Sequence, residues 1–170
     1  MKKVYFAIGH QLVENFITKQ MEGKIEVVGT TVYRENILPA VLEKQPDVLI
    51  TRETLPGSTE FLEIIDRIRV ECDKDIQIIF ITGGRQPGDA FLSALIRYQV
   101  FDLVIGDNID IKEVCRMIEQ PNKYRDVFMY APKVKVDEKT KKEIFKAPSA
   151  PKVIEKEIIN EIIIDKTTLD

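Results

Sequence analysis

The chain has 170 residues, 44% of them hydrophobic and 31% charged, enough for one domain with a core of ordinary size and a remainder outside it. Its formal net charge is −3, with Lys and Arg dispersed, so it lacks the basic footprint of a nucleic-acid binder. No apolar run approaches the roughly 20 residues of a membrane helix, and Cys72 and Cys115, without CxxC spacing and with His10 as the sole histidine, make no zinc site and read as reduced residues of a cytosolic protein.

Lys3 to Ile8 is rich in branched and aromatic residues and reads as a first strand, broken by Gly9-His10. A helix follows, its apolar positions Leu12, Phe16, Ile17 and Met21, and Gly23 ends it. Ile25 to Val28 is a second strand, and a second helix from about Arg34 to Lys44 carries Ile37, Leu38, Val41 and Leu42 on one face. The third strand, Val48 to Thr51, leads into a helix beginning at Ser58 or Thr59, where a hydroxyl supplies the N-cap oxygen, and ending near Glu71.

The fourth strand, Ile76 to Ile81, is apolar almost throughout, the pattern of a strand buried on both faces. Thr82 to Gly88 is a turn-rich loop, followed by a helix carrying Phe91, Leu92, Leu95 and Ile96. Phe101 to Ile105 is the fifth strand, and a fifth helix runs to about Glu119, closed by Pro121. Five strands alternating with five helices need right-handed crossovers. They predict an α/β fold, a flavodoxin-like, doubly wound parallel sheet in the order 2-1-3-4-5.

Residues 1–121 are expected to form this domain, 122–152 a linker rich in Lys, Glu, Pro and Ala, and 153–170 a tail. Val153 to Ile164, VIEKEIINEIII, pairs apolar residues between charges and reads as an amphipathic helix or a β-prone strand, ordered by a partner or not at all. The tail is expected to lead into an effector domain beyond this sequence.

Three phrases carry a resemblance. PDVLITRETLPG (Pro46 to Gly57), IIFIT (Ile78 to Thr82) and VFDLVIGDNI (Val100 to Ile109) resemble the third, fourth and fifth strand ends of response-regulator receiver domains, the CheY-like family. That resemblance implies an Asp at the end of strand three that accepts a phosphoryl group, with Mg²⁺ held by it and by an acidic pair after strand one. Here Arg52 stands at the phosphoacceptor's position, Ile8-Gly9 where the acidic pair belongs, and Gly106 where a Lys would meet the phosphoryl group. Only the switch hydroxyl, Thr82, remains. A guanidinium neither accepts a phosphoryl group nor ligates Mg²⁺, and Glu53 lies one residue off, on the other face of an alternating strand.

The resemblance therefore implies a degenerate, non-catalytic pseudo-receiver of a bacterial cytoplasm, with no cofactor, metal or catalytic residue, acting through a protein partner or as a homodimer. Arg97, Tyr98 and Phe101 lie in the region that receivers use for dimer contacts. A degenerate receiver followed by a charged linker is similar to the amino-terminal part of pilus-assembly and conjugation-type ATPases, the CpaE-like relatives of MinD and ParA.

Two alternatives stay open. Thr82, Gly83, Gly84 and Arg85 follow a strand and precede a helix, so their N–H groups could hold a small ligand or nucleotide, although neither GxxxxGK[ST] nor GxGxxG is present. An atypical phosphorylated receiver is the other. Arg52 and Arg85 are expected to pair with Glu53 or Asp107, and His10 to be an ordinary loop residue.

Overall fold

The computed structural model describes residues 1–131; the tail Val153–Ile164 and the greater part of the expected linker lie outside the described residues. Five strands, β1 (Lys2–Ala7), β2 (Ile25–Thr30), β3 (Val48–Arg52), β4 (Gln77–Thr82) and β5 (Asp102–Ile105), alternate with five helices. The helices are α1 (Gln11–Gln20), α2 (Ile37–Lys44), α3 (Phe61–Glu71), α4 (Ala90–Arg97) and α5 (Ile111–Glu119). All strand pairs are parallel and the order is β2-β1-β3-β4-β5, as the sequence predicts.

Alternation along each strand divides the core in two. Val4 and Phe6 of β1 with Ile8 just beyond it, Val48 and Ile50 of β3, and Ile79 and Ile81 of β4 face one side, where Val13 and Ile17 of α1 meet Val114, Met117 and Ile118 of α5. Tyr5, Leu49, Ile78 and Phe80 face the other, against α2, α3 and α4. There Phe80 stands edge-on to Phe61 at 5.0 Å and to Phe91 at 5.5 Å between centroids, the geometry aromatic quadrupoles favour. Gly29 on the edge strand β2 leaves room for Tyr5, since a Cβ there would lie 2.8 Å from the ring.

The third helix starts later than expected. Neither Ser58 nor Thr59 caps it; Glu60 holds the cap position, and the backbone N–H groups of Ser58 and Thr59 donate instead to the Glu35 carboxylate, at 2.6 and 3.3 Å. The start of the second helix is a 3-10 turn, Arg34–Asn36, before α2 proper. The compact unit also passes the expected boundary at 121. Tyr124–Val127 forms a short helix, α6, and Phe128–Tyr130 a 3-10 turn. Val127 is buried in the α2–α4 side of the core, and Ser93 donates to the Tyr130 carbonyl at 3.3 Å.

Candidate functional site

In a doubly wound sheet the strands' carboxyl ends form the crevice where chemistry is done, and here four of them converge. β1 ends at Ala7 and is followed by Ile8-Gly9, while β3 ends at Arg52 before Glu53, β4 at Thr82 before Gly83 and β5 at Ile105 before Gly106. A cleft of about 250 Å³ opens between the ends of β3, β4 and β5, lined by Arg52, Glu53, Thr54, Thr82 and Asp107 among others.

Arg52, the last residue of β3, is half-buried and bends toward β1, its Nε donating to the Ile8 carbonyl at 2.5 Å. Its Nη2 lies against Gly9. The expected ion pair with Glu53 or Asp107 is not what the structure shows: Arg52 bonds to backbone instead. The cation therefore occupies the approach to the loop after β1, where the receiver resemblance would require carboxylates and a metal. These residues do not fit Mg²⁺, because the ion needs oxygen ligands and the position offers a guanidinium; no group of three His, Cys, Asp or Glu side chains gathers among the described residues.

Glu53 turns the other way. Its carboxylate accepts from both Nη2 and Nε of Arg85 and from the Gly83 N–H at 3.2 Å. Arg85 in turn donates through Nη1 to Asp89 at 2.9 and 3.0 Å and lies over the Phe91 ring, 4.7 Å from its centroid. Asp89 also caps α4, accepting from the Phe91 and Leu92 N–H groups at 2.9 and 3.1 Å. One chain of charges thus straps the loop after β4 to the end of β3. The Arg85 hydrogen bond holds the Glu53 carboxyl below its ordinary range, and the Leu92 N–H does most to lower that of Asp89. The guanidinium that the ligand-binding alternative relies on is engaged by two carboxylates.

Thr82 is buried, its hydroxyl donating to the Gly83 carbonyl at 2.9 Å. Gly84 sits near the Asp107 carboxylate. His10 is the N-cap of α1, its Nδ1 accepting from the Val13 N–H at 3.4 Å.

A residue without any motif signal holds the loop after β3. Arg34 donates to the carbonyls of Leu55 (2.7 Å), Glu53 (2.8 Å) and Thr59 (3.3 Å), and its guanidinium lies 4.2 Å from the Phe61 centroid. Gly57 makes the approach possible: its φ is +150°, and a Cβ there would meet the Arg34 side chain at 2.7 Å. The partners lie about twenty residues away in sequence, too far for local patterning to reveal them.

The expected interface residues lie at the far end of α4. Arg97 is exposed, whereas Tyr98 and Phe101 are half-buried against the core. The Tyr98 carbonyl accepts from Arg69 at 2.9 Å, and Phe101 meets Tyr124 edge-on at 6.2 Å. Below them Asp102, buried at the start of β5, accepts from the Asn122 N–H at 2.8 Å and from Gln77 at 3.1 Å. The chain's own residues 122–130 thus cover part of this face. Loss of solvent raises the Asp102 carboxyl above its usual range against the pull of those hydrogen bonds.

No family model and no curated protein matches the chain. Solved structures do. The isolated REC domain of RcsB from Salmonella enterica serovar Typhimurium, in the presence of phosphomimetic BeF3-, is 22% identical with a TM-score of 0.59, covering 77% of this chain and 99% of that one. A DNA-binding response regulator of the LuxR family from Staphylococcus aureus gives 20% and 0.58, over 71% and 98% of the two chains. The signal receiver domain of a modulated diguanylate cyclase from Desulfovibrio desulfuricans G20 gives 21% and 0.55, over 70% and 91%. At these identities the likeness establishes the receiver fold.

Proposed function

We propose that this receiver fold works without phosphoryl transfer, as a module that regulates or localises by contact with other proteins. The observation that carries the proposal is Arg52, whose guanidinium stands at the position matching the phosphoacceptor and reaches the Ile8 carbonyl. A positive charge fixed there repels Mg²⁺ and offers no oxygen to a phosphoryl donor. The strap from Glu53 through Arg85 to Asp89 further holds the loop after β4 in one arrangement.

The module belongs, in this reading, to the amino-terminal part of a larger ATPase of pilus-assembly or conjugation type. What supports that assignment is the resemblance of a degenerate receiver followed by the Lys- and Glu-rich residues 133–149. A tether of that composition holds an attached domain at high effective concentration without fixing its orientation.

Beryllofluoride with Mg²⁺ tests the proposal, because anything that binds the native state raises its stability by mass action. The melting temperature is expected to stay unchanged across a titration of both. A saturable increase that requires both together would contradict it.

A further inference from the structure

α1 and α5 pack side by side on one face of the sheet, and among the polar residues of their outer surface stand large apolar side chains where a solvated helix face is expected to be polar. Leu12 and Phe16, one turn apart on α1, are 65% and 56% exposed. Beside them a groove of about 520 Å³ runs along α5, with Phe16, Ile111 and Cys115 as its apolar lining and Gln20, Lys112, Arg116, Glu119 and Gln120 as its polar one. An exposed apolar strip rimmed by charge is the signature of a protein contact.

We propose that this α1–α5 face binds a second copy of the chain in a two-fold dimer. The inference rests on the reading of the domain as a protein-contact module and names its partner and surface. Charge order on α5 argues for self-association. Lys112, Cys115 and Glu119 recur at helical spacing on one stripe, so two α5 helices crossing antiparallel near Cys115 bring Lys112 of each copy opposite Glu119 of the other. Lys112 has no carboxylate partner among the described residues, whereas Arg116 on the same helix is neutralised within its own chain by Glu113 at 2.6 Å. Glu119 already meets Lys24 at the exposed rim, where the pairing is weak and exchangeable. A two-fold interface requires this self-complementarity. The face around Tyr98 and Phe101 is the poorer candidate, since Tyr124 already packs on it.

The test is the solution mass of the full chain by light scattering up to several hundred micromolar, with circular dichroism to verify folding. The wild type is expected to dimerise, Phe16→Glu to be monomeric, and Tyr98→Glu to dimerise as the wild type does. Lys112→Glu is expected to weaken the dimer roughly tenfold or more, and Lys112→Glu with Glu119→Lys to restore it. A monomeric wild type, a dimer indifferent to Phe16→Glu, or a charge reversal without rescue would overturn the proposal. None of these outcomes depends on phosphoryl chemistry, so failure here is separable from failure of the functional reading, which the beryllofluoride titration addresses.

Discussion

At the scale of single residues, Arg52 and Glu53 adjoin in sequence and go to opposite neighbours, Ile8 on one side and Arg85 on the other. Because Arg85 lowers the Glu53 carboxyl, the pair contributes stability that is present above the ordinary Glu range and lost as pH falls through the lowered value. Both side chains are about a quarter exposed, so Glu53→Gln should cost about 1 kcal/mol at neutral pH, and urea melts should show the difference from wild type closing in acid. Asp102 has the opposite sign. Burial raises its carboxyl, so its contribution is greatest below the unfolded value and is lost as pH rises through the folded one. Asp102→Asn, which cannot titrate, should therefore gain stability relative to wild type across that rise, and paired melts at acid and neutral pH check it. Arg34→Ala leaves three loop carbonyls without their donor and should destabilise by about 2 kcal/mol or more.

The elements were legible in the sequence because their signals are local. β4 reads as buried on both faces from Ile78-Ile79-Phe80-Ile81 alone, and it is an interior strand, flanked by β3 and β5, as that pattern implies. What was not legible depends on distant partners. The start of α3 shifts to Glu60, and the Glu35 carboxylate, 23 residues before Ser58, accepts from the backbone N–H groups of Ser58 and Thr59, the two residues expected to cap the helix. Arg52 was expected to meet a carboxylate, but a carbonyl presented by the end of β1, 44 residues earlier, is nearer to hand. Residues 122–130 looked like linker because Val127 is their one fully buried apolar side chain, and composition does not reveal a docking site made by α4 and Asp102. Val127→Ala should accordingly lower stability by about 1 to 2 kcal/mol, and a chain ended at residue 121 should melt at lower urea than one ended at 131, both read by equilibrium unfolding.

For the molecule as a whole, the parallel sheet brings the carboxyl ends of β1, β3, β4 and β5 to one edge, and the proposal that no phosphoryl transfer occurs there rests on Arg52, whose guanidinium reaches across to the Ile8 carbonyl. On the α1–α5 face the apolar side chains of Leu12 and Phe16 stand exposed. The most direct test of this account is the intact mass of the full chain after incubation with Mg²⁺ and a small phosphodonor such as acetyl phosphate. The account predicts an unchanged mass; a stoichiometric, acid-labile phosphoryl adduct would contradict it.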